Sequence, residues 1–274
     1  MKLYRIPDGI VIEEREQFCL LKDEDWDKFV NDDNLSRKMQ KIARSFSPTR
    51  NVPESLLPPI KSQEVWASGV TYLRSRLGRE QESRKTGGGD YYARVYEAER
   101  PELFFKSTPH RVVGHGGKVR IRRDSTWNVP EPELTLMITS SGKIAGYTIG
   151  NDMSSRSIEG ENPLYLPQAK VYDGCAAIGP SIYVSEDPLP ANTTIELDIR
   201  RNDSSVFRGS TELSRLKRDL AQLVSFLYRE CTFPNGSLLM TGTGIVPPND
   251  FTLHSGDEIV VTIEPIGKLI NRVE

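Results

Sequence analysis

The chain has 274 residues and a mass of 30.9 kDa, with 37% hydrophobic and 27% charged residues, the proportions of a soluble globular protein able to bury a large core. Lys and Arg (36) nearly balance Asp and Glu (38), and the formal net charge of −2 leaves no basic excess to displace counterions from a nucleic acid. The start, Met1-Lys2-Leu3-Tyr4-Arg5, carries no apolar leader, no run approaches a membrane span, and Cys19, Cys175 and Cys231 suit neither a disulfide framework nor a zinc pattern, so cytoplasm is the expected compartment.

Residues 1–60 differ in character from the rest of the chain. Short strands around Leu3-Tyr4-Arg5 and Gly9-Ile10-Val11-Ile12 precede a helical segment at Trp26–Val30, and prolines then crowd at Pro53, Pro58 and Pro59, marking a boundary near residue 60. Beyond it strands dominate: Val65–Val70, Leu103–Lys106, Lys118–Arg122, Glu133–Thr139, Ile144–Gly150, Ser181–Val184, Thr194–Arg201, Val206–Arg208, Ser237–Thr241 and Glu258–Ile263. Between Arg74 and Arg94 the sequence is charged and includes Thr86-Gly87-Gly88-Gly89-Asp90, which reads either as a surface loop or as a lid over a site. Gly114-His115-Gly116-Gly117-Lys118 lacks the spacing and the hydroxyl residue of a phosphate loop. One long helix is expected at about 212–230, with Leu216, Leu220, Leu223, Val224 and Leu227 at helical spacing before the turn Pro234-Asn235-Gly236. Many strands and few helices predict a mixed, mainly β fold, rolled or barrel-like, with a small N-terminal α+β domain (1–60) and a main domain (61–274).

The most informative stretch is Glu131-Pro132-Glu133, followed nineteen positions after Glu133 by Asp152. Between them lie Leu134–Thr139, the turn signal Ser140-Ser141-Gly142-Lys143, and Ile144–Gly150, which together spell a β-hairpin. A two-residue loop at Ser141-Gly142, or a four-residue loop on the same centre, places Glu131 opposite Asp152. Residues two apart on a strand share a face, as do direct cross-strand partners, with Cβ atoms roughly 5 Å apart. Three carboxylates on one patch repel one another unless a cation sits among them, and a hard divalent ion ligated by oxygen suits the place while keeping about half of an octahedron free. The alternative is a solvated strand entrance, and a one-residue slip of register would scatter the trio.

From this trio onward the chain resembles the fumarylacetoacetate hydrolase family over roughly residues 61–274. Glu131-Pro132-Glu133-Leu134 is similar to the family's metal-binding Glu-x-Glu-Leu, and Asn151-Asp152-Met153-Ser154-Ser155-Arg156 to its Asn-Asp-x-Ser-Ala-Arg. Lys170-Val171-Tyr172-Asp173, Ile178-Gly179-Pro180, Met240-Thr241-Gly242-Thr243, Gly256-Asp257 and Ile266–Asn271 follow in the family's order. The resemblance implies a rolled β fold, usually dimeric or higher (a homodimer or homotetramer), with Glu131, Glu133 and Asp152 holding Mg²⁺ (or Mn²⁺ or Ca²⁺) against a small 2-oxo acid. Hydrolytic members carry Asn-Tyr-x-x-His, whereas this chain has Thr71-Tyr72-Leu73-Arg74-Ser75, and a hydroxyl cannot be the general base at neutral pH. Arg100–Lys106, Pro109–Gly116 and Glu161–Gln168 look like the family's sugar-acid dehydratases, which also lack that histidine.

That resemblance implies loss of water from a 2-keto-3-deoxy sugar acid, of the 2-keto-3-deoxy-D-arabinonate kind, giving 2,5-dioxopentanoate. Glu102 is the first proton-transfer candidate, by resemblance, and Lys170, whose pKa a nearby ion would lower, is the second. Arg156 and Thr243 are expected to hold the substrate's carboxylate or hydroxyl end, and Ser68 to meet substrate or water. Glu159 stands where the hydrolases usually have Gln, and a carboxylate there accepts from sugar hydroxyls. A C–C hydrolase or 2-oxoacid decarboxylase, with a water set by Glu102, is the alternative enzyme, and a non-catalytic 2-oxo-acid binder is the alternative from another class.

Overall fold

Long antiparallel ladders organise the molecule, and the computed structural model describes residues 1–45, 55–82 and 89–274 of it. In chain order the first part comprises β1 (Lys2–Ile6), β2 (Gly9–Glu14), β3 (Gln17–Lys22), α1 (Trp26–Val30) and α2 (Leu35–Ser45). Then come β4 (Glu64–Gly69), α3 (Leu73–Glu82), α4 (Gly89–Glu97), β5 (Glu102–Ser107), β6 (Val112–Val113), β7 (Lys118–Val119) and β8 (Asn128–Val129). The central hairpin is β9 (Pro132–Ile138) and β10 (Ile144–Asp152), followed by β11 (Ser154–Ser155), α5 (Arg156–Glu161), α6 (Leu166–Lys170) and β12 (Ala176–Tyr183). The chain closes with β13 (Thr194–Arg201), β14 (Ser204–Glu212), α7 (Leu220–Leu227), β15 (Ser237–Met240), β16 (Glu258–Ile263) and β17 (Gly267–Val273).

Ten strands form the main sheet, in the order β3-β2-β1-β12-β10-β9-β15-β4-β5 with β6 on β12, and five form the second, β14-β13-β16-β17-β7. Alternation along β9 explains the layering. Leu134, Leu136 and Ile138 face a core shared with Ile195, Leu197 and Ile199 of β13, Ile259, Val261 and Ile263 of β16, and α7. Met137, on the other face, joins Ile178, Ile182, Leu238 and Met240 in a core with Leu3, Ile10, Ile12, Trp26, Phe29 and Met39. The fold is mainly β as expected, but the sheets are stacked with open edges and no barrel closes. Residues before the join near 60 are bonded into the main sheet, since Leu3 of β1 pairs with Ile182 of β12. Pro53, one of the prolines that marked the join, lies outside the described residues. No described helix is long and apolar enough to cross a membrane.

Three expectations change. The stretch 74–94 is not simply a loop: α3 and α4 occupy most of it, because its Arg, Glu and Gln are good helix formers and pair at i,i+4, as Arg76 does with Glu80 at 2.6 Å. Residues 83–88, with most of the Gly run, lie outside the described residues. The long helix shrinks to α7, since β14 runs to Glu212, a 3₁₀ turn follows at Leu213–Arg215, and Asp219 caps the helix by accepting from the Ala221 and Gln222 N–H groups. The strand expected at Lys118–Arg122 ends at Val119, because its partner β17 offers only Arg272 and Val273.

Candidate metal centre and active site

The hairpin brings the three acids together by a route the residue count did not anticipate. Thr139 N–H donates to Lys143 O (2.9 Å) and Gly142 N–H to Thr139 O (3.0 Å), so the loop is Ser140-Ser141-Gly142, three residues, with Gly142 at φ +83°. Ile144 then pairs with Ile138 and Gly146 with Met137, leaving Ala145 as an extra residue that shifts the register by one. Beyond it Gly150 pairs with Glu133, and Asp152 N–H donates to Glu131 O at 2.9 Å. Glu131 therefore does lie opposite Asp152. Glu131, Glu133 and Asp152 are all buried and offer carboxylate oxygens within 4.8 Å of one another.

Around them stand four cationic side chains. Lys170, at the end of α6 and 1% exposed, donates from Nζ to Glu131 Oε2 (2.6 Å), Asp152 Oδ2 (2.9 Å) and Ser154 Oγ (2.6 Å). Lys106 from β5 ion-pairs with Asp152 Oδ1 at 2.5 Å. Arg79 from α3 reaches Glu131 Oε1 at 3.0 Å and also ion-pairs with Glu159. Arg156, the first residue of α5, stands 3.7 Å from the same Glu131 oxygen. Burial works to raise the Glu131 carboxyl, but Lys170, Arg79 and Arg156 outweigh it and hold it far below the usual carboxylate range.

Glu133 is the opposite case. Its Oε2 accepts from Gly242 N–H at 2.5 Å, yet burial, then repulsion from Asp152 and Glu131, hold its carboxyl well above the usual range. A buried carboxylate against two others is the donor set that fits a hard divalent ion, whose charge would reverse the repulsion.

A cavity joins this centre to β4, β5 and the start of α3. Ser68, Gly69, Ser75, Arg79, Glu102, Phe104, Glu159, Leu166, Lys170, Gly242 and Thr243 line it together with the three acids, and its free volume is about 20 Å³. Glu102 starts β5 opposite Gly69 of β4, and its carboxylate packs where a Cβ at residue 69 would stand, so a side chain there would displace that group. Burial raises the Glu102 carboxyl, with Arg79 and Lys170 opposing. Ser68 Oγ donates to Glu102 O at 2.9 Å, which orients the strand start. Thr243 lines the cavity while its Oγ1 accepts from Ile245 N–H at 3.2 Å.

Eight of the nine residues singled out from the sequence thus share one cavity wall. Arg156 does not line the cavity; it backs Glu131. Glu159 does line it, with its carboxylate ion-paired to Arg79. Arg79 and Lys106 were missed. Arg79 was hidden among the many charges of 74–94, and Lys106 in Leu103–Lys106 carried no spacing signal, although a lysine ending an apolar strand run is a hint of a buried partner. Ser75 Oγ donates to Tyr72 O at 2.7 Å, and none of the three histidines lines the cavity.

Comparison with known proteins agrees with this geometry. The family profile described as Fumarylacetoacetate (FAA) hydrolase C-terminal matches residues 65–274. A probable 2-keto-3-deoxyxylonate dehydratase of Haloferax volcanii is 47% identical over 216 residues, 78% of this chain and 73% of that protein. A 2-dehydro-3-deoxy-D-arabinonate dehydratase of Saccharolobus solfataricus is 44% identical over 218 residues, covering 79% and 73%. Among solved structures, 2-keto-3-deoxy-D-arabinonate dehydratase complexed with magnesium and 2,5-dioxopentanoate superposes with a TM-score of 0.85 at 36% identity, covering 100% of this chain and 99% of the other.

Proposed function

This chain belongs to the fumarylacetoacetate hydrolase family, and from that membership and the make-up of its cavity we propose that it is a metal-dependent hydro-lyase. Its substrate is a 2-keto-3-deoxy sugar acid of the arabinonate or xylonate kind, and its product is 2,5-dioxopentanoate. The observation that carries the reading is a cavity that joins three carboxylates, within 4.8 Å of one another, to the raised carboxyl of Glu102, with no histidine in its lining.

Glu131, Glu133 and Asp152 hold Mg²⁺ or a similar divalent ion, which when bound polarises the C2 carbonyl and acidifies the C3 protons. Glu102 moves protons. As the carboxylate it takes a C3 proton, and as the acid it returns that proton to the C4 oxygen, which leaves as water. The remaining C3=C4 bond is conjugated to the C2 carbonyl; a proton shifted from C5 to C3 gives the C4=C5 enol, and transfer of that enol's hydroxyl proton to C4 yields the C5 aldehyde. All three Lys170 N–H groups are used on Glu131, Asp152 and Ser154, so it acts as a fixed cation beside the developing charge and not as a base. Arg79 and Thr243 meet the substrate, and Ser68 and Arg156 hold Glu102 and Glu131 in place. Residues 1–60 buttress the sheet while 61–274 carry the chemistry, and the enzyme works in the cytoplasm as a homodimer or homotetramer.

Incubation with a panel of 2-keto-3-deoxy acids and Mg²⁺ is expected to give a product lighter by one water, with the carbon skeleton intact. Cleavage of an acylpyruvate, with no water lost from any panel member, would sink the assignment. The raised Glu102 carboxyl adds a pH signature. Because it must ionise to take the C3 proton, kcat/KM is expected to rise with pH along a limb displaced upward from the ordinary carboxylate range. Glu102→Gln should remove that limb and lower kcat by on the order of 10²-fold or more, with metal affinity kept. An unchanged limb in the variant would assign the proton transfer elsewhere.

A further inference from the structure

Beyond Lys170, which donates to Glu131 Oε2 and Asp152 Oδ2, the three carboxylates share an arrangement that ligating an ion does not by itself require: each has one oxygen engaged by a further fixed donor. That leaves the Lys170-facing oxygens and Glu133 Oε1 toward an ion. Lys106 Nζ holds Asp152 Oδ1 at 2.5 Å, Gly242 N–H holds Glu133 Oε2 at 2.5 Å, and Arg79 holds Glu131 Oε1 at 3.0 Å. These donors are anchored. Lys106 is 0% exposed, and its Nζ also donates to Met153 O (3.0 Å) and Lys170 O (2.5 Å), two backbone bonds that fix the ammonium group beside Asp152. Gly242 sits at φ +92° with Thr71 Oγ1 and Ser68 O filling the place of a Cβ, so its N–H direction is fixed by a backbone that excludes other residues. Arg79 is steadied by Glu159.

A carboxylate gives a cation one oxygen or two. Ca²⁺ takes 6–8 oxygens in flexible geometry and readily accepts both oxygens of one carboxylate, whereas Mg²⁺ demands a compact octahedron and keeps waters. Resting on the divalent-ion reading above, we propose that Lys106, Gly242 and Arg79 clamp the denticity of the site, limiting Asp152, Glu133 and Glu131 to one oxygen each. The clamp disfavours Ca²⁺ relative to Mg²⁺ and Mn²⁺, and it leaves half of the octahedron for a substrate that chelates through its carboxylate and C2 oxygen. Lys106 is accordingly a positioning residue. It sets how Asp152 binds without touching substrate.

The test is the ratio of Ca²⁺ to Mn²⁺ affinity in the metal-stripped protein, read by displacement of the Mn²⁺ paramagnetic signal with Ca²⁺. Lys106→Met frees the second oxygen of Asp152 and is expected to raise the ratio about tenfold or more, the effect of one added ligand for Ca²⁺ only. Loss of the positive charge strengthens both ions alike and cancels in the ratio. Lys106→Arg keeps a donor and should stay near the wild-type ratio. Arg79→Gln, a change on a surface helix, should shift it in the same direction by less, since Arg156 still backs Glu131; it keeps the question open to measurement if Lys106→Met does not fold. An unchanged ratio in both Lys106→Met and Arg79→Gln overturns the clamp while leaving the metal centre standing. Failure of the wild-type protein to bind Mn²⁺ at all overturns both.

Discussion

Glu133→Gln is expected to abolish metal binding and turnover together, while leaving the metal-free protein at least as stable as wild type. The carboxylate it replaces is disfavoured by burial and by Asp152 and Glu131, so a neutral isostere that still accepts from Gly242 N–H relieves the fold even as it removes a ligand. Loss of the ion removes several kcal/mol of charge stabilisation, on the order of 10³-fold in rate. Thermal melts in chelator and in Mg²⁺ separate the two effects. Wild type should gain about 2.7 kcal/mol at a hundredfold excess over Kd, and the variant nothing. Asp152→Ala makes the contrast: it too ends turnover, but it strands Lys106 and Lys170 in the interior and should lower stability. A metal-stripped Glu133→Gln protein that keeps wild-type rates would mean the trio is not the metal centre.

Lys170→Met should lower kcat by on the order of 10²-fold or more, with Mn²⁺ affinity unchanged or tighter. The methionine fills the same volume but removes the ammonium group that faces Glu131 and Asp152, leaving those carboxylates more negative toward an ion. The cation nearest the developing charge is lost, so the transition state suffers and metal binding does not. KM should move little, because the interaction removed belongs to the transition state. Loss of Mn²⁺ binding with kcat per bound metal unchanged would recast Lys170 as a brace for the ligands alone.

Much of the site was legible because it is written locally. The Glu-x-Glu spacing, the Ser-Gly turn and Asp152 all fall within one hairpin, and the period of two along a strand needs no tertiary knowledge. The inferred register was right at the acids through two offsets that cancel: the loop is three residues, not two or four, and Ala145 adds one to β10. The parts that sequence reasoning could not place arrive from distant segments. Arg79 comes from a helix whose composition resembled a loop, and Lys106 lies across the sheet on β5, where only the fold sets it against Asp152. The overlong helix at 212–230 failed for a similar reason. Leu216 has helical spacing, but it bridges to Tyr72 and is not in a helix.

Those cancelling offsets insulate the chemistry from the hairpin's tip. A two-residue turn at Ser141-Gly142 with straight strands and a three-residue turn with a surplus Ala145 both deliver Asp152 opposite Glu131. Exchanging one arrangement for the other leaves the pairing at the acids unchanged, while Asp33 and Asn31 hold the tip through Thr139, Ser140, Ser141 and Lys143. Loop length at one end of the ladder and ligand placement at the other are thereby uncoupled by a single spare residue.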